Sequence, residues 1–108
     1  MKAIKNRVQL MGYLGADPEI KIFEETKKLA NIRLAVNDRY KNAKGEWVDE
    51  TQWFNLVAWS KLAVYAEKYL IKGIEVAVEG RLINKSYTDK NLVKRFSTDI
   101  HLSEILIL

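Results

Sequence analysis

Between Val8 and Leu102 apolar residues recur at every second position in five separate stretches, and only once, from Ser60 to Leu70, at the three-and-four spacing of a helix. Period two places alternate side chains on opposite faces of a strand, so each stretch reads as a strand buried on one side. Five short strands and a single helix leave few architectures. As an open sheet they would expose unpaired edges, whereas closure into a barrel removes them.

The first strand places Val8, Leu10, Gly12 and Leu14 inward and Arg7, Gln9, Met11 and Tyr13 outward. Gly15-Ala-Asp-Pro18 follows as a turn. The second places Ala30, Ile32, Leu34 and Val36 inward and Asn31, Arg33, Ala35 and Asn37 outward, and runs into a polar loop or loosely paired hairpin from Asp38 to Glu50. In the third, Thr51 to Trp59, Phe54, Leu56 and Ala58 alternate with Trp53, Asn55, Val57 and Trp59. Ser60 is an acceptable N-cap for a helix whose stripe is Leu62, Tyr65, Ala66, Tyr69 and Leu70, with Gly73 as its left-handed cap. Val76, Val78, Gly80 and Leu82 mark the fourth strand, and Phe96, Thr98, Ile100 and Leu102 the fifth, joined by a polar hairpin from Lys85 to Lys94. The predicted class is mainly β: a five-stranded barrel with one α-helix between strands 3 and 4, over a single domain spanning residues 1–108. That order is the order of the oligonucleotide-binding (OB) fold.

Several functions are excluded or disfavoured by composition. No apolar run approaches the roughly 18 residues that span a bilayer, and the first residues lead into an alternating strand instead of a secretory leader, so a cytoplasmic protein with no membrane contact is expected. There is no cysteine and only one histidine, His101, which rules out a disulfide framework and disfavours zinc. No catalytic constellation or phosphate-binding glycine loop is present: Gly12-Tyr-Leu-Gly15 lacks the required spacing, and Gly12 reads as a bend in the first strand. The chain is therefore not read as an enzyme and is assigned neither metal nor cofactor. Its 18 basic residues against 14 acidic ones permit a polyanionic partner without requiring one.

The outward register of the third strand carries the strongest functional signal. Trp53 and Trp59 lie there with Asn55, opposite Phe54, Leu56 and Ala58. Two surface tryptophans on one strand suit base stacking, which is worth about 1–3 kcal/mol per base whatever the sequence. Arg33, Arg39, Lys41, Lys61 and Lys85 lie on or beside the same elements, and cations flank aromatics in Arg39-Tyr40-Lys41, in Trp53 to Lys61, and in Lys85-Ser-Tyr87. Trp47 in the polar loop either stacks on a base or packs on a neighbouring loop. Tyr65 and Tyr69 are assigned to the core, Tyr13 and Phe23 remain undecided, and His101 is read as structural or interfacial.

Asn6-Arg-Val-Gln-Leu-Met-Gly-Tyr-Leu-Gly-Ala-Asp-Pro-Glu19 resembles the opening strand of the bacterial-type single-stranded DNA-binding proteins, N-K/R-V-x-L-x-G-x-L-G-x-D-P-E. Ala30-Asn-Ile-Arg-Leu-Ala35, Thr51-Gln-Trp-Phe-Asn-Leu-Val-Ala-Trp59, the helix from Lys61 to Ala66, Val78-Glu-Gly-Arg-Leu82 and Lys85-Ser-Tyr-Thr-Asp89 continue the likeness in order. The resemblance implies a homotetramer of OB folds that wraps single-stranded DNA in replication, recombination and repair, with stacking aromatics at Tyr40, Trp53, Trp59 and Tyr87. Tyr40 and Tyr87 stand where many members carry tryptophan, and Phe54 where an interface histidine is common. Many members also continue into a flexible linker and an acidic tip that recruits replication and repair proteins. The 108 residues contain no such segment, so recruitment of replication and repair proteins by that route is not expected of them, whether the sequence is a truncated piece or a tailless variant.

The function expected is single-stranded DNA binding with little sequence specificity, by stacking and phosphate neutralisation, in the cytoplasm at the nucleoid. Two alternatives stay open: an RNA-binding OB module, and a protein interaction module of a primosome or recombination complex. A tetramer is also expected from Gln9, Met11 and Tyr13, a moderately apolar stripe that pairing with a symmetry mate would bury.

Overall fold

The computed structural model describes residues 5–24 and 26–108. In chain order it contains β1 (Val8–Leu14), β2 (Glu19–Phe23), β3 (Lys27–Lys41), β4 (Trp47–Trp59), α1 (Lys61–Tyr69), β5 (Glu75–Thr88) and β6 (Lys94–Ile107). The strands neighbour one another in the order β1-β5-β6-β4-β3-β2, and a further β1–β3 pairing closes the ring. Five strands thus form the barrel. β4 and β6 meet in parallel at Leu56↔Ile100 and Val57↔His101; the other pairs are antiparallel.

The sixth strand, β2, is the continuation of β1 and not a new barrel stave. Tyr13 and Leu14 pair with Ala35 and Leu34 of β3, and Glu19 to Phe23 pair further back along it, with Asn31 to Lys27. Gly15–Pro18 is therefore a break within one strand direction, where a turn was expected. The Gly15 N–H donates to the Arg33 carbonyl at 2.9 Å, and the Asp17 carboxylate accepts the Lys72 N–H at 2.8 Å, so the break is fastened to both β3 and the segment before β5. With β2 counted, the single helix lies between β4 and β5, which is the predicted place after the third barrel strand. At Gly12 β1 comes so close to β3 that an added Cβ would collide with the Ala35 carbonyl oxygen.

The core is the inward register of the strands, capped by the helix. Leu14, Ala30, Ile32, Leu34, Leu56, Ala58, Val76, Val78, Ile100 and Leu102 pack with Ala63, Ala66 and Leu70. Fully burying a side chain such as Leu34 or Leu56 contributes about 1.5–3 kcal/mol. Tyr69, assigned to this core, is instead 50% exposed; Ala63 takes the inward place on α1, and Tyr69 lies on Tyr65 at 5.0 Å with Lys68 over its ring. Ser60 precedes the helix at positive φ with no side-chain cap, and Gly73 has its left-handed φ beyond the helix end, where Leu70 is already extended. Phe96, in the inward register, is exposed because β5 and β6 continue past the barrel as an arm, and Leu82, in the same register at the barrel rim opposite Ile100, is half exposed; Val57, in the outward one, is buried. Of the loop or loosely paired hairpin expected from Asp38 to Glu50, the structure forms the hairpin, an arm paired to Lys41↔Trp47 at its tip.

Candidate nucleic-acid interface

The outer face of the barrel is built by one register of β4 and its neighbours. Trp47, Trp53 and Trp59 all lie in that register, spaced by about 20 Å along an extended strand at roughly 3.3 Å per residue. Each remains exposed, by 61%, 49% and 42%. Trp53 sits opposite Ala35, a small partner, and its ring passes over Gly15, where an added Cβ would lie 2.5 Å from Cζ3. The Arg33 guanidinium lies 5.0 Å from the Trp53 ring centre. A cation held over an indole is attracted by the ring's negative face.

Trp47 packs on its own arm, a third arrangement beside the two expected ones: it pairs with Lys41, and Arg39 and Lys41 lie 5.1 and 5.8 Å from its ring centre. Arg39 also faces Asp49 at 3.7 Å, but both side chains are open to water, so the pair adds little stability. On the neighbouring β5–β6 surface Arg81, Lys85 and Tyr87 share the register of His101. Lys85 is paired with Asp99 at 3.3 Å, while Tyr87 is 54% exposed. Lys61 begins α1 at a shallow cleft that it lines with Ile22, Lys27 and Lys28.

Tyr40 is the exception. It pairs with Val48 in the register of Leu34 and Val36, so it projects from the opposite face of the arm to Trp47 and Trp53. The structure therefore brings Arg33, Trp53, Trp59, Lys85 and Tyr87 to the outer side of the sheet, with Arg39, Lys41 and Trp47 further out along one arm and Tyr40 behind it.

His101 lies under this surface, in a depression bordered by Lys5, Arg7, Trp59 and Arg81. Its Nε2 is buried without a hydrogen-bond partner. Burial, then the Lys85 cation, hold its pKa below the ordinary 6.5 against the opposing pull of Asp99, so the ring is neutral at neutral pH. Glu79, below the same depression, accepts from Gln9 at 2.8 Å and from Arg7 at 2.7 Å; these bonds lower its pKa and tie β1 to β5. Among the described residues no cluster of histidine, cysteine or carboxylates could hold a metal, and no helix is long and apolar enough to cross a membrane.

A model described as the single-strand binding protein family matches residues 5–108. The chain belongs to that family. It is 36% identical over 104 residues to "Single-stranded DNA-binding protein 1" of Chlorobaculum tepidum, covering 95% of this chain and 64% of that protein. The chain thus spans 64% of that relative's length. A solved structure described as the Plasmodium falciparum SSB complex with ssDNA superposes with a TM-score of 0.91 at 28% identity, covering 100% of this chain and 98% of that one. The family is one of non-enzymatic DNA-binding proteins.

Sequence reasoning left one residue at this surface unassigned. Phe23 is 44% exposed, and its ring centre lies 6.4 Å from that of Trp59. The missing signal was strand β2 itself: without it Phe23 had no register, and its neighbour across β3 was not legible.

Proposed function

We propose that this chain binds single-stranded DNA with little sequence preference, coating and protecting it in replication, recombination and repair. The observation that carries the reading is the row of exposed tryptophans on β4, with Arg33 over Trp53 and further cations on the flanking strands. Stacking on Trp53, Trp59 and Tyr87 supplies sequence-tolerant affinity, and Arg33, Arg39, Lys41, Lys61 and Lys85 neutralise phosphates. Trp47 extends the contact along the outer face of the first arm, and Tyr40, on the opposite face of that arm, adds a weaker one. The cytoplasm, at the nucleoid, is the compartment where such a substrate is met. Titration with poly-dT at two salt concentrations tests this: tryptophan fluorescence falls on binding, and log K declines by about 0.7 per phosphate neutralised for each tenfold rise in salt. Unquenched fluorescence or salt-independent affinity refutes it, and tighter binding of a matched RNA oligonucleotide favours the RNA-binding alternative.

The working unit is a homotetramer. Met11 and Tyr13 are 58% and 44% exposed on β1, beside an apolar cleft lined by Leu10, Ala77, Val78 and Leu106. An isologous contact between two such faces removes this surface from water, and a second contact joins the dimers. Sedimentation equilibrium without DNA decides the matter, since a mass near the 12.5 kDa of one chain excludes it.

A further inference from the structure

We propose that Phe23 and Trp59 form a two-ring clamp that grips one base of the bound strand, with Lys27 neutralising the adjoining phosphate; this rests on the reading of the chain as a single-strand binder. Phe23 of β2 pairs with Lys27 of β3, and Trp59 of β4 pairs with Leu29 of β3. Directly paired residues share a face, as do residues two apart on a strand. Phe23, Lys27, Leu29 and Trp59 therefore all emerge on one side of the sheet, with the two aromatics on the strands flanking β3.

Two strand spacings separate those flanking backbones, about 9.6 Å, yet the ring centres are 6.4 Å apart with 34° between their planes. The rings lean towards each other over Leu29, which is only 9% exposed. They do not close the space between them: a cleft opens there, bounded by Phe23, Trp59, Lys27 and Glu24. A base sandwiched between two rings needs two stacking steps of about 3.4 Å, or about 6.8 Å. A small opening and a flattening of the tilt admit it. The Glu24 carboxylate at the cleft repels a phosphate from its own side and leaves Lys27, with Lys21, which pairs with Leu29 and so lies across β3 from Trp59, as the cationic side. Phe23 and Trp59 thus offer two stacking surfaces to one base, where Trp53, with Arg33 over its ring, offers one.

The test is the affinity of a labelled dT oligomer for wild type and for Phe23→Ala, Phe23→Leu and Phe23→Tyr, with melting temperatures alongside. Phe23→Ala and Phe23→Leu weaken binding about tenfold and Phe23→Tyr keeps it within about twofold, since leucine preserves apolar cover but has no π-face. Should the alanine variant fold poorly, the leucine variant carries the comparison. Combined with Trp59→Ala, the loss falls short of the product of the two single losses, because both rings hold the same base. Wild-type affinity in Phe23→Leu, or a double variant equal to that product, overturns the clamp while leaving single-strand binding intact. Absence of dT binding in the wild-type protein overturns both readings.

Discussion

At the tip of the β3–β4 arm the Asn42 side-chain oxygen accepts the backbone N–H groups of Lys44 and Glu46, each at 2.9 Å; at the tip of the β5–β6 arm Asp89 accepts those of Asn91 and Val93 at 2.9 and 3.0 Å. In each turn the next-to-last residue has positive φ, Gly45 in one and Leu92 in the other. Further down, Thr51 donates to Asn37 at 2.9 Å and Thr98 to Asn84 at 2.8 Å, across equivalent positions of the two ladders. Tyr40 and Tyr87 fall at the same place in this shared plan. Yet Tyr40 keeps the register of core residue Leu34, whereas Tyr87 keeps that of Arg81 and His101 on the outer face. Local chemistry sets how an arm turns, and the phase in which it joins the barrel sets which face it offers. A shift of one residue reverses every side chain.

The largest effect is expected at the root of the first arm. Trp53→Ala is expected to cost about 1–3 kcal/mol of single-strand affinity with little change in melting temperature, because the ring is half exposed. A large fall in melting temperature with unchanged binding would return Trp53 to a structural role over Gly15. The arms themselves are separated by the next test. Tyr87→Ala weakens binding by about 1 kcal/mol or more, and Tyr40→Ala by less. Equal losses would show that the strand passes round the first arm and touches both of its faces.

Much of this was legible before the fold was known. The inward registers of Leu34, Leu56 and Val78 follow from alternation alone, because burial on one face forces period two. The outward placement of Trp53 and Trp59 follows from the same rule. What alternation cannot convey is where a strand leaves the barrel. Phe96 continues the inward pattern of β6 beyond the core, Leu82 stands at its rim, and Tyr69 fits the helical stripe yet stays half exposed. Strand β2 was hidden because Glu19 to Phe23 is short and mostly solvent-facing, so its pairing with β3 and not its own composition makes it a strand. Phe23 was lost with it.

A smaller effect sharpens the likeness of the two turns. Leu92 occupies at φ 61° the left-handed position that Gly45 occupies at 77°, and its side chain is 85% exposed, so no packing offsets the strain. Left-handed backbone costs a residue with a Cβ about 1–2 kcal/mol, less the chain freedom that glycine brings to the unfolded state. Leu92→Gly is expected to raise stability by up to about 1 kcal/mol, and Gly45→Leu to lower it by a similar amount, both read from denaturant midpoints. Opposite signs support one turn geometry in both arms; two losses would show that Leu92 holds its arm by a contact of its own.

The smallest effect is one of pH, and it divides the arms by chemistry alone. Asp89 can titrate and Asn42 cannot. The Arg95 guanidinium at 2.9 Å, then the Val93 and Asn91 N–H groups, hold the Asp89 carboxyl below its ordinary 3.8. A carboxyl with a depressed folded pKa stabilises the fold above its unfolded value, and that contribution is lost as pH falls through the folded value. Acidification from about pH 5 to about pH 2 is therefore expected to release the β5–β6 tip first. Amide exchange reports it directly: the Asn91 and Val93 N–H groups lose protection over this range, while Lys44 and Glu46, bound to an amide oxygen, keep theirs relative to intrinsic rates. Asp89→Asn removes the difference by giving both arms the same uncharged acceptor. Parallel loss of protection at both tips would place the acid-sensitive group in the shared barrel, where Glu79 ties β1 to β5, and not in the turn.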